Sequence, residues 1–140
     1  MLGSAGTPGQ AATGIGLALT PSKDPTLLQE AGTALAQEVS RRLDLPIQLY
    51  VAADYAGVIE ALRNQSVDLA FVHPVAYVLA NREARARILV KSLRGGSAFY
   101  TARFFVRKDS GLAAVDDLRG KTIAFVDPAS TSGYIYPMVF

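Results

Sequence analysis

The sequence contains no cysteine. Disulfides, cysteine-based zinc sites and thiol catalysis are excluded, while the compartment is left open. It contains one histidine, His73. A metal site is therefore not expected, and no cofactor is expected. Charged residues make up only 19% and the net charge is +2. No basic run exceeds two residues, as at Arg41-Arg42 and Arg107-Lys108. Nucleic-acid binding would want a denser basic stripe, whereas a mild positive bias suits a small anion. Long apolar runs are also missing: Ile15 to Leu19 and Val75 to Ala80 are far too short to span a bilayer. Met1 to Thr13 has neither a charged n-region nor an apolar h-region. It reads as a flexible lead-in, so either the protein is cytoplasmic or a signal was removed before this numbering begins.

What is present is a chain of 140 residues, half of them hydrophobic, enough for one domain with a real core. Gly14 to Leu19 is a short apolar run bounded by Gly and Pro, the pattern of a buried strand. Its glycines come before or inside the strand, which excludes a dinucleotide fingerprint. Asp24 is placed to cap a helix with Pro25 at its first position. Leu28, Ala31, Leu35, Val39 and Leu43 then form one apolar stripe, and Pro46 forbids continuation. Ile47, Leu49 and Val51 alternate as a second strand. Asp54 is an N-cap for a helix with Val58, Ile59 and Leu62 inside. Leu69 to Val72 is a third strand, broken by His73-Pro74, and Val75 to Ala80 begins a third helix. Ile88 to Val90 reads as a fourth strand, and Gly95-Gly96 as a turn or hinge. Ala98 to Arg107 alternates as a long strand, with Tyr100 and Phe104 on one face and Phe105 on the other. Val115 to Lys121 is a helical turn closed by Gly120, and Thr122 to Val126 is a last strand.

Repeated strand–helix alternation predicts an α/β fold with a mostly parallel sheet and helices on both faces. Ligands of such sheets bind beyond the carboxyl ends of the strands. That rule gathers Thr20 to Asp24, Ala53-Asp54-Tyr55, His73-Pro74 and Pro128 to Gly133. The last of these, within Asp127-Pro128-Ala129-Ser130-Thr131-Ser132-Gly133, sits between a strand and a helix start. Ser130, Thr131 and Ser132 either cap that helix or turn their hydroxyls toward an oxyanion. A serine hydrolase, with Ser130 or Ser132 as nucleophile and His73 as base, is disfavoured. There is no Gly-x-Ser-x-Gly elbow, no third member, and no phosphate loop with Gly-Lys-Ser/Thr after a strand. Arg103 and Arg107 share a face that either attracts anions or is simply solvated. The final helix has barely begun at Phe140, so the chain is expected to be the front of a longer protein.

Four stretches carry a family resemblance: Asp54 to Leu62, Val67 to Phe71, Val106 to Gly111 and, longest, Asp116 to Tyr134. The chain resembles the substrate-binding proteins of phosphate/phosphite/phosphonate ABC transporters. The resemblance implies a type II periplasmic-binding-protein fold whose two lobes close on a ligand. It implies a lead-in at 1–13, a first lobe at 14–97, a crossover strand at 98–111 and the start of a second lobe at 112–140. It implies binding without catalysis. The ligand would be a phosphorus oxyanion or organophosphonate held by Tyr55, Tyr100, Ser130, Thr131 and Ser132. The family commonly has Gly-Pro where this chain has His73-Pro74, which makes His73 a further candidate contact, against a purely local packing role. Implied partners are an ABC permease and the ligand, in the periplasm or anchored outside the cytoplasm, with no nucleic acid. The same fold also serves as a ligand sensor for a receptor or kinase. The 140-residue form is expected to expose apolar surface and self-associate.

Overall fold

The computed structural model describes residues 14–21 and 24–139. The expected lead-in lies outside the described residues, as do Ser22 and Lys23 in the first turn. Strands β1 (Ile15–Leu19), β2 (Ile47–Val51) and β3 (Leu69–Phe71) form a parallel sheet in the order β2-β1-β3. Parallel neighbours need crossovers, which helices α1 (Pro25–Leu43) and α2 (Tyr55–Arg63) supply; α3 (Pro74–Ala84) follows β3. Alternation along β1 sends Leu19 against Gly32 of α1 and Ala18 into a cluster with Val58 and Ala61 of α2. Helices therefore lie on opposite faces of the sheet.

The caps follow the local sequence. Asp24 accepts from the N–H groups of Thr26 (2.9 Å) and Leu27 (3.2 Å), and Asp54 accepts from Gly57 (2.7 Å). The seam of α1 differs from the expected stripe. Its buried residues are Gly32 and Ala36, while Leu35 and Leu43 are exposed. A Cβ on Gly32 would stand 2.6 Å from Leu19 Cδ1 and 2.9 Å from Leu49 Cδ2. The helix approaches the sheet closely through its smallest residues, and the leucines flank that line instead of forming it.

Past α3 the structure departs from expectation. Residues 88–90, 98–107 and 122–126 form no strand. A strand needs a ladder partner, and among the described residues these segments have none; an isolated bridge between Arg94 and Ser97 lies between two of them. Apolar alternation nevertheless survives in 98–107: Tyr100 and Phe104 are 50% and 45% exposed, against 84% for Phe99 and 90% for Phe105. Residues Val115–Leu118 form the expected turn as a 3₁₀ helix. A wide π turn at Thr131–Ile135 leads into a short helix, α4 (Tyr136–Val139).

Candidate functional site

In this strand order the chain leaves β1 on one side to reach β2 and returns across it to β3. The carboxyl ends of β1 and β3 therefore flank a topological switch point. Thr20, which follows β1, is buried and donates to Phe71 O at 3.3 Å; its Oγ1 also lies 3.3 Å from His73 Nδ1. Both contacts are satisfied together when Nδ1–H donates to Thr20, which leaves Nε2 free of this chain of bonds. The His73 ring stacks on that of Tyr55, with centroids 5.5 Å apart and planes 25° apart. Tyr55 opens α2 and His73 precedes α3, so the stack ties two helix starts together.

The segment after Val126 closes over the same place. Asp127 accepts from Ala129 N–H at 2.8 Å, which shapes the turn, and from Tyr55 N–H at 3.4 Å, which reaches the first residue of α2. Thr131 Oγ1 accepts from Val75 N–H at 2.8 Å, in the first turn of α3. His73 makes no side-chain cap of its own, so Thr131 supplies it from elsewhere in the chain. Two helix N-termini thus converge on one five-residue segment, and the partial positive charge of each points the same way. Ser130 Oγ accepts from Gly133 N–H at 3.2 Å, and Ser130 O accepts from both Tyr134 N–H (3.1 Å) and Ile135 N–H (3.0 Å). That shared carbonyl makes the π turn, a widening often found at functional sites. Gly133 is required: a Cβ there would lie 2.5 Å from Val126 Cγ2 and 2.9 Å from Ser130 Oγ.

The electrostatics make the cluster a set of neutral donors. Burial pushes the Tyr55 phenol up, a hydrogen bond from Ser130 opposes this, and the nearby charges of Asp127 and Tyr100 add to the rise. The phenol is protonated at neutral pH and can donate. Burial holds His73 below the usual imidazole range, and the neighbouring Arg94 lowers it further. Ser130 and Thr131 are both engaged as acceptors, so the capping alternative is realised. A hydroxyl that accepts still carries its own O–H, so a cap can also donate to a guest.

Of the residues expected from sequence, Tyr55, His73, Ser130 and Thr131 meet by direct contact or through one intervening group. Tyr100 lies within electrostatic reach of Tyr55. Ser132 is half-buried in the π turn and makes no hydrogen bond of its own side chain among the described residues. Arg103 and Arg107 are exposed, and Arg107 faces Asp109 at 3.8 Å. A cleft of about 410 Å³ lies beside α2 and α3, lined by Asp54, Glu60, Glu83 and Asp127 and by apolar residues that include Ile59, Leu79 and Pro128. The cleft shares Asp127 and Ala129 with the turn and so adjoins the Tyr55–Ser130 cluster, and its carboxylates would repel an oxyanion on that side.

Comparison with known proteins identifies the family and the fold. The model of a family described as the periplasmic substrate-binding protein of phosphonate ABC transporters matches residues 17–140. The phosphate-import protein of Mycolicibacterium smegmatis is 32% identical over 127 residues, covering 88% of this chain and 40% of that protein. The phosphonates-binding periplasmic protein of Escherichia coli is 30% identical over 115 residues, covering 79% of this chain and 34% of the relative. The crystal structure of a binding-protein component of an ABC phosphonate transporter from Pseudomonas aeruginosa shares the fold, with a TM-score of 0.75. It has 23% identity, and the match covers 88% of this chain and 42% of that one. The chain thus spans about 40% of the length of the M. smegmatis relative.

Proposed function

Because the chain belongs to the family of periplasmic substrate-binding proteins of phosphonate ABC transporters, we propose that its protein captures a phosphorus oxyanion at the Tyr55–Ser130 cluster. The ligand is a phosphonate, phosphite or phosphate, and it leaves unchanged. The observation that carries the reading is the convergence of the α2 and α3 starts on Asp127–Thr131. It sets hydroxyls, backbone N–H groups and two helix dipoles around one point. Tyr55, Tyr100, Ser130, Thr131 and Ser132 donate to the anion, and His73 adds a further contact. Residues 14–97 form the first lobe, 98–111 cross over and 112–140 begin the second, so the anion sits in the cleft between lobes. The protein works outside the cytoplasm and delivers its ligand to an ABC permease.

Calorimetric titration of the protein with phosphate, phosphite and methylphosphonate tests this. Binding of at least one is expected, weakened by several kcal/mol in a Ser130→Ala, Thr131→Val double variant, since charge-assisted hydrogen bonds contribute about 1.5–3 kcal/mol each. Unchanged affinity in that variant would sink the site. Turnover of a phosphonate by the pure protein would overturn the binding role.

A further inference from the structure

The cluster offers an anion hydroxyls, a phenol and backbone N–H groups, all of which donate. One group in it is arranged to accept. His73 Nδ1 lies 3.3 Å from Thr20 Oγ1, and Thr20 is buried. The Thr20 hydroxyl donates its proton to Phe71 O at 3.3 Å. A hydroxyl has one proton, so with that proton on the carbonyl it can only accept from the ring. Ring, hydroxyl and carbonyl then form a chain of two hydrogen bonds, and the imidazole is the Nδ1–H tautomer. The other nitrogen, Nε2, keeps a lone pair and no proton. Stacking on Tyr55, with centroids 5.5 Å apart, fixes the plane of the ring. Two residues on, Val75 N–H donates to Thr131 Oγ1 at 2.8 Å and holds the start of α3 to the closing segment. Nε2 has no partner among the described residues, and no buried side-chain nitrogen or oxygen among them lacks one, so Nε2 is open to solvent. With Nδ1 turned to the strand ends, Nε2 is the nitrogen left for a guest.

We propose that Thr20 fixes His73 as the Nδ1–H tautomer and that Nε2 accepts a hydrogen bond from the P–OH of the bound oxyanion, so that the site takes its ligand as the monoprotonated species. The inference rests on the oxyanion reading of the site. A fully ionised oxyanion sets an oxygen lone pair against that of Nε2 with no proton between them, whereas a monoprotonated one brings the missing donor. Sulfate, which carries no proton near neutral pH, is refused for the same reason. No proton is transferred; only the hydrogen bond forms. Burial and the positive charge of Arg94 lower the affinity of His73 for a proton, which keeps the ring neutral where phosphoryl groups pass from monoanion to dianion. The other groups against the ring are Thr20 from the end of β1 and Tyr55 from α2, both uncharged at neutral pH. Asp127 of the closing segment accepts from the N–H groups of Tyr55 and Ala129.

His73 is the sole histidine, so both ring-nitrogen signals in a nitrogen NMR spectrum belong to it. Methylphosphonate and inorganic phosphate, whose only donor is P–OH, and sulfate, which has none, are titrated by calorimetry across neutral to alkaline pH. In wild type the proton is expected on Nδ1, both phosphorus anions are expected to bind and sulfate is not. Affinity counted on total ligand is expected to fall about tenfold per pH unit once the ligand is mostly dianionic. His73→Phe keeps a ring against Tyr55 and removes the acceptor. It is expected to bind at least about tenfold more weakly at neutral pH and to lose that slope. Thr20→Val is expected to move the ring proton toward Nε2 and weaken binding, and Thr20→Ser to restore both. A proton on Nε2 in wild type, affinity that holds or rises with pH, or His73→Phe binding as wild type does overturns the role of His73 and leaves the oxyanion site standing. No binding of phosphate or methylphosphonate by wild type overturns both.

Discussion

The Thr131 hydroxyl caps helix α3 by accepting the Val75 N–H at 2.8 Å, although 56 residues separate the two. The residue positioned to cap α3 locally is His73, which instead stacks on Tyr55 and contacts Thr20. The cap is thus transferred to the segment that closes over the strand ends. Helix α2 keeps its local cap, Asp54 on the Gly57 N–H, and Asp127 adds a second acceptor from the distant segment at the N–H of Tyr55. The segment that encloses the candidate site is held in place by the helix starts it caps.

Thr131→Val removes that cap while keeping the shape of the side chain. It is expected to lower stability by about 1 kcal/mol, the usual cost of losing a helix N-cap. Thr131→Ser should lose much less. Denaturant melts of the two variants check this. A Thr131→Val variant as stable as wild type would show that the cap contributes nothing.

Stability should fall as the solution becomes mildly acidic, and His73 is the cause. The unfolded imidazole takes a proton near its ordinary value of 6.5, and the folded one only at lower pH, because it is buried and the positive charge of Arg94 disfavours a second one. Between those two points the unfolded chain binds more protons, so folding weakens as pH drops from about 7 toward 5. The stability contribution is fully present above the unfolded value. Thermal melts across that range should show the slope, and His73→Gln should flatten it. A slope that survives in His73→Gln would assign the effect to other groups.

Gly16→Ala should be costly although alanine suits a strand better than glycine does. A Cβ at this position would lie 2.9 Å from Val67 Cα and 3.2 Å from Ser66 O, both backbone atoms that cannot rotate away. Gly16 N–H also donates to Asp68 at 2.9 Å, so the strand is fixed from that side. Overpacking of this kind costs roughly 1–3 kcal/mol. A chemical denaturation midpoint no lower than that of wild type would contradict it.

Tyr55→Phe should keep the ring stack on His73 and lose only the phenol hydroxyl. Affinity for the oxyanion is expected to fall about tenfold, the value of one hydrogen bond to a charged partner. Calorimetry measures the loss. Near-UV circular dichroism should report an otherwise retained fold.

The 140-residue chain should self-associate as its concentration rises. Leu89, Val90, Phe99, Phe105 and Val126 are all exposed, and the segments that carry them have no ladder partner among the described residues. Apolar surface on this scale favours association. Light scattering across a concentration series should show rising mass, and a constant monomer mass would refute it.

Much of this was legible locally. Asp24-Pro25 and Asp54 announce helix starts, and the structure caps them as their spacing requires. Apolar runs at Ile15 to Leu19 and Ile47 to Val51 announce strands, and both pair. The α1 stripe was misjudged at Leu35 and Leu43, because periodicity weighs hydrophobicity whereas close approach to a sheet rewards small size at Gly32 and Ala36. Residues 98–107 kept their alternation of exposure but formed no strand, since a strand is completed by its neighbour and not by its own pattern.

By itself the sequence determined the α/β alternation, the caps and the Ser130-Thr131-Ser132 turn, since all of these depend on residues a few positions apart. Only the tertiary structure decided that the turn caps α3, that Asp127 reaches α2, and that His73 lies on Tyr55. Those contacts join segments separated by tens of residues, and their geometry is set by how the strands order themselves in the sheet.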